Sequence, residues 1–196
     1  MAAGRSEQRS GVARRRVHYV AVSVLSVGLA ASAMPTALAH GGVAQIGQKL
    51  GQDFSGLAAE LLAQWIIESR QQILASGTRP IPPQIIQGLE GYFPTALLRE
   101  VRYRSGGSTE LSLPGLAFQY GDAAAITLVD VVMFRSEADA QTDLKLWAHE
   151  LTHVMQYRRW GTDGFAARYV ADSNAVEREA YGNADRFVAW RNSAPR

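Results

Sequence analysis

The 196-residue chain contains no cysteine. That absence excludes a disulfide framework, every cysteine-ligated metal site, a thiol nucleophile and lipid attachment at a cysteine. Histidine is scarce, with four in the chain. Charged residues make up 19% against 47% hydrophobic, a balance that excludes wholesale disorder. No internal repeat and no low-complexity tract is present. The length suits one domain with a real core, or one domain behind a processed leader. A formal net charge of +2 and a sequence pI of about 9.1 invite a nucleic-acid or membrane-surface partner. Where the charge sits decides whether that invitation stands.

It sits at the N-terminus. Arg5, Arg9, Arg14, Arg15 and Arg16 face one acid, Glu7, and the stretch from Tyr19 to Ala39 carries no charge. A basic region, an apolar region, Pro35 and the small-x-small site Ala37-Leu38-Ala39 together predict a secretory signal peptide over residues 1–39, cleaved before His40. The competing reading is an uncleaved anchor; the diluting Ala, Ser and Gly and the cleavage site favour removal. Arg14-Arg15-Arg16 fits a twin-arginine signal poorly. Removing five of the 20 basic and one of the 18 acidic residues leaves 15 against 17, a net charge of −2. The electrostatic footing for nucleic acid goes with the leader, and the mature protein is expected to be secreted, off the membrane. An N-terminal His40 could chelate copper through its amine and ring, but a copper brace needs a second histidine, and His149 and His153 have a better use.

Residues 40–53 are Gly-rich and predict a loose lead-in or short helix. Residues 54–75 place Leu57, Leu61, Trp65 and Ile73 at helical spacing, an amphipathic helix stopped at Ser76-Gly77. This helix is expected to be core, with an inhibitory segment over a cleft as the alternative. Pro80, Pro82 and Pro83 mark a loop, and Pro83 suits the first turn of a short helix over 83–90. Leu98 to Arg104 reads as a strand ending in the turn signal Ser105-Gly106-Gly107-Ser108. Ile126 to Phe134 is rich in β-branched residues and predicts one or two strands. Ser136-Glu137-Ala138-Asp139 resembles a capping box, opening a helix to about Tyr157. Residues 158–172, with Gly161 and Gly164, read as a loop, and a last helix spans about 173–190. Helices, strands, then helices argue α+β: a lead-in over 40–79 and a domain over 80–196.

The long helix carries His149-Glu150-Leu151-Thr152-His153, an H-E-x-x-H motif. Residues i and i+4 share a helix face, so both imidazoles can bind one Zn²⁺. Glu150 is rotated one position away and is placed to hold and deprotonate a metal-bound water as general base. A shuffled chain of this composition would hold the motif in roughly 0.3% of cases. Trp147, Leu151, Thr152, Val154 and Met155 are uncharged, which lets the helix lie buried beneath a metal.

A catalytic zinc needs a third protein ligand. Gln156 and Arg159 stand where the metzincin pattern requires Gly and His, so that class is excluded. The remaining source is a carboxylate on the next helix, Glu177 or Glu179. At about 100° per residue, Glu177 shares a face with Ala180, Tyr181, Ala184 and Val188, whereas Glu179 falls beside Asn183 and Arg186 on a solvent face. That favours Glu177, which could instead cap its helix with Asn174. Asp185 could accept a hydrogen bond from a ligand imidazole or be a surface carboxylate. Tyr157 and Tyr169 could donate to an oxyanion, though such tyrosines more often pack. Val131 to Phe134 could be an edge strand pairing with extended substrate, or a plain core strand.

The stretch from His149 to Gln156 followed by Glu177-Arg178-Glu179-Ala180 resembles the zinc metallopeptidase domain linked to extracellular contractile injection systems and polymorphic toxins. That family typically shows A-H-E-L-T-H-V-x-Q and then an E-R-E-A-D helix. Ile81-Pro82-Pro83 through Arg102 looks like its opening helix and first strand, and Ala125 to Phe134 like its paired strands, so the likeness covers roughly residues 80–190. It implies a zincin-like, gluzincin-type fold, with a small mixed or antiparallel sheet on the active-site helix. It also implies Zn²⁺ held by His149, His153 and Glu177, with Glu150 as base, and an effector or secretion-system partner. Tyr181 stands where the family has Asp, so that carboxylate is missing or supplied by Asp185. The expected function is a secreted zinc-dependent metalloendopeptidase acting on polypeptides. The alternative is a catalytically silent, zinc-stabilised interaction domain associated with exported effectors.

Overall fold

The computed structural model describes residues 42–106 and 123–193. The leader assigned to residues 1–39, its cleavage site and His40 lie outside the described residues, as do Gly107 and Ser108 of the expected turn. Helix α1 spans Gly42–Ala75, β1 Arg79–Pro80, α2 Pro83–Leu89, α3 Thr95–Glu100 and β2 Arg102–Ser105. A hairpin of β3, Ala125–Leu128, and β4, Val131–Phe134, leads to the short α4, Glu137–Thr142, and to α5, Leu144–Ser193. Among the described residues the architecture is α+β, with one four-stranded sheet in the order β1-β2-β4-β3. The sheet is mixed: β2 runs parallel to β4, while β1–β2 and β3–β4 are antiparallel. No described helix is long and apolar enough to cross a membrane.

Side-chain alternation along the hairpin divides the core in two. Val132 and Phe134 join Tyr103, Trp147 and Leu151 in one cluster under α2, α3 and the start of α5. Val131, Ile126 and Leu128 join Ile66 and Ile73 of α1 with Tyr157, Phe165 and Tyr169 of α5 in the other. Trp147 is fully buried and satisfies its indole by donating to the Ala140 carbonyl at 2.8 Å. Gly88 lets α2 approach closely, since a Cβ there would lie 2.6 Å from Leu144.

Helix α5 is broken twice. Gly161 (φ 71°, ψ 171°) and Asp172 (φ −157°, ψ 83°) leave helical geometry, and glycine accepts the positive φ without strain. The expected loop over 158–172 is therefore helical between these breaks, which redirect the chain so that its last segment returns beside the first. The single helix expected from Ser136 to Tyr157 is also two. Ser136 caps α4, and Asp143 ends it, restarting the chain by accepting from the Leu146 amide at 2.9 Å.

Three further expectations are corrected. Leu98 to Glu100 belong to α3, and the strand begins at Arg102. The Gly-rich stretch after residue 41 is part of a 34-residue helix rather than a loose lead-in. On α1 the buried face is Ala63, Ile66, Ser69 and Ile73, while Leu57 and Leu61 are exposed. Both faces repeat apolar residues at helical spacing, and only the docking of α1 on α5 and the hairpin selects between them. The bidentate pair from Arg70 to Asp130, at 2.5 and 2.8 Å, ties α1 to the β3–β4 turn.

Candidate metal centre

The first segment of α5 places His149 and His153 one turn apart, and both are buried (5% and 6% exposed). The break at Asp172 brings the last segment alongside, with Asp172 itself capping it through the Ala175 amide at 2.9 Å. Glu177 thereby meets both imidazoles: its Oε2 lies 3.3 Å from His149 Nε2 and 3.6 Å from His153 Nε2. The two Nε2 atoms are 3.1 Å apart. Among the described residues, His149, His153 and Glu177 form a group that could hold a metal ion.

The electrostatics follow from this convergence. Burial pulls the His153 imidazole down, but the hydrogen bond and charge of Glu177 outweigh it and raise the group to about 9. Burial raises Glu177, yet the two imidazoles hold it well below the usual carboxylate range. Three ionisable groups thus meet in a small, largely buried volume, where a bound cation would compete with protons for the same atoms.

Further side chains close in around this trio. His153 Nδ1 meets Gln156 Oε1 at 2.8 Å, and Tyr169 donates to Glu177 Oε1 at 3.2 Å. The Tyr181 ring lies against His149, centroids 4.4 Å apart. Glu150 is 3% exposed, and its Oε2 accepts from Thr127 Oγ1 at 2.7 Å. Glu150, the trio and Thr127 open on one cleft, walled by Leu62 and Ile66 of α1 and by Ala123 to Leu128. Helix α1 is thus core and cleft wall at once.

The structure also separates residues that the sequence left together. Glu179 turns away to a bidentate pair with Arg159 (2.8 and 2.8 Å). Asp185 is exposed and pairs with Lys145 at 2.6 Å; it does not support an imidazole, because its place on the helix looks outward past the cleft. Asn183, expected beside solvent, donates to Thr152 Oγ1 at 2.8 Å and accepts from Tyr92 at 2.9 Å. Tyr157 is buried, with its hydroxyl 3.4 Å from the Thr127 carbonyl. Among the described residues, strand β4 lies inside the sheet and β3 is the edge strand at the cleft. The parallel pairing of β4 with β2, invisible in the sequence, puts β3 there. Thr127, Gln156 and Tyr169 as support for Glu177 were not foreseen. The signal available was Gln156 three residues after His153, on the same helix face.

No curated protein and no solved structure matches the chain. Residues 80–161 match the family model of the eCIS core domain. The matched segment contains His149, Glu150, His153 and Gln156 and stops short of Glu177. The match supports an association of this chain with extracellular contractile injection systems.

Proposed function

We propose that the chain is a zinc-dependent metalloendopeptidase of zincin-like layout, exported behind its N-terminal leader. His149, His153 and Glu177 would hold the metal, and Glu150 would serve as general base. The carrying observation is the convergence of two imidazoles and one carboxylate beside a second buried carboxylate, all on one cleft.

The donor set fits zinc. Bonds of about 2.0–2.1 Å opened to tetrahedral angles separate ligand atoms by about 3.3 Å. The separations here are 3.1, 3.3 and 3.6 Å. Three protein ligands leave a fourth position open, as catalytic sites require. Bound zinc supplies a Lewis acid that polarises a carbonyl and acidifies water. Glu150 then takes the proton of the attacking water and returns it to the leaving amine, with one oxygen held by Thr127. An extended polypeptide can lie along β3, the edge strand, by backbone pairing. The apolar walls of the cleft limit competing water.

The test is metal analysis of the purified chain, with turnover of unstructured protein substrates by wild type and Glu150→Gln. Stoichiometric zinc with activity only in wild type is expected. Equal activity in both, or no bound metal, would overturn the proposal. Tyr181 favours a second reading, because it puts an aromatic ring on His149 where the resembled family carries Asp. In that reading the domain is zinc-stabilised and silent, serving exported effectors. It predicts a zinc-dependent melting shift without turnover of any peptide.

A further inference from the structure

The geometry points to Gln156 as a positioning residue that sets the tautomer of His153 and registers the helix carrying Glu177. The inference rests on the metal-centre reading above. Gln156 is 1% exposed, so each polar atom of its carboxamide needs a partner. Its Nε2 lies 3.0 Å from the Val176 carbonyl and 3.1 Å from Glu179 Oε2. Both partners only accept, so the amide nitrogen must face them and the amide oxygen must face His153. That oxygen, 2.8 Å from His153 Nδ1, only accepts in turn. Nδ1 must therefore carry a proton in either charge state, so in the neutral ring that binds a metal the lone pair is on Nε2, directed at His149 and Glu177.

The same amide acts on the third ligand. Val176 immediately precedes Glu177, so the bond to its carbonyl fixes the backbone from which Glu177 projects. Glu179 completes the clamp: Arg159 holds its carboxylate at 2.8 Å, and the carboxylate holds the Gln156 amide. The two glutamates of the Glu177-Arg178-Glu179 segment thus divide the work. One faces the imidazoles, and the other anchors the residue that aims them.

The test uses the full chain and zinc alone. Gln156→Met removes acceptor and donors at similar volume and is expected to weaken zinc binding about 10–100-fold, as loss of an outer hydrogen-bond partner does. Affinity is read by competition with a chromophoric chelator, after circular dichroism and a melt in EDTA establish the fold. The double variant Gln156→Glu with Glu179→Gln exchanges amide and acid and restores an acceptor for Nδ1–H but no donor for the Val176 carbonyl, and is expected to recover part of the loss. Imidazole ¹⁵N spectra of the zinc-loaded wild type are expected to report His153 protonated at Nδ1. Unchanged affinity in Gln156→Met overturns the inference, as does absence of recovery in the exchanged pair or a proton on Nε2. If Gln156→Met does not fold, the wild-type spectrum decides between the two tautomers. A wild type that binds no zinc overturns the metal-centre reading and this inference with it. A wild type that binds zinc no better than Gln156→Met overturns this inference alone.

Discussion

Thr127, on the outermost strand, donates a 2.7 Å hydrogen bond to Glu150 on the helix beneath it. The sheet edge along which a peptide would pair and the proposed base are therefore mechanically coupled. Thr127→Val keeps the shape and strand propensity but leaves a buried carboxylate oxygen without its donor. It is expected to cost about 1–3 kcal/mol in urea denaturation and to lower turnover while leaving zinc content unchanged.

Glu177 and Glu179 are two residues apart but face different partners. Glu177→Gln is expected to weaken zinc binding by more than the roughly 100-fold upper range for loss of an outer partner. Glu179→Gln, which loses charge toward Arg159 but keeps an amide oxygen for Gln156, is expected to stay near wild type. Dialysis against graded chelator with elemental analysis compares them directly.

Helix α1 is held chiefly by apolar contact. Ile73, with no exposed surface, sits between α1 and the hairpin cluster. Ile73→Ala is expected to destabilise by about 2–5 kcal/mol. Asp130→Ala, which breaks the half-exposed pair with Arg70, is expected to cost about 1 kcal/mol or less. Chemical denaturation of both variants ranks the two contributions.

Glu137 is held at about 2, below its ordinary value of 4.5, chiefly by the Arg79 guanidinium and then by Ser105. Its folded value is depressed, so its stabilising effect is complete above about pH 4.5 and is lost as pH falls through 2. Glu137→Gln is expected to flatten the decline of melting temperature across that acid window and to change little near neutrality. Thermal melts at stepped pH measure the difference. Glu137 is half-exposed, with a side-chain exposure of 46%, so salt is expected to shrink the effect.

Much of the candidate centre could be read along the chain because a helix translates spacing directly into direction. His149 and His153 at i and i+4 share a face in any α-helix, and Glu177 lies on the apolar side of its own. The same arithmetic failed for Asn183, placed in solvent yet bonded between Thr152 and Tyr92. A helical wheel gives angles but does not say how many faces are covered. It failed on α1 for the same reason, since Leu57 and Leu61 match the period as well as Ile66 and Ile73 do. Gly161 was visible as a break, but not that helix resumes at once and turns the chain back.

By itself the sequence determined the α+β class, the two imidazoles on one helical face, the absence of any sulfur ligand, and a small set of carboxylates from which a third ligand could come. These depend on composition and on local periodicity, which a chain carries without folding. Only the tertiary structure decided that Glu177 meets both histidines while Glu179 pairs with Arg159. It alone made β3 rather than β4 the edge of the sheet, and brought Thr127 and Gln156 to the centre. Those outcomes depend on contacts between segments tens of residues apart, and the positions of two breaks and one parallel strand pairing set them.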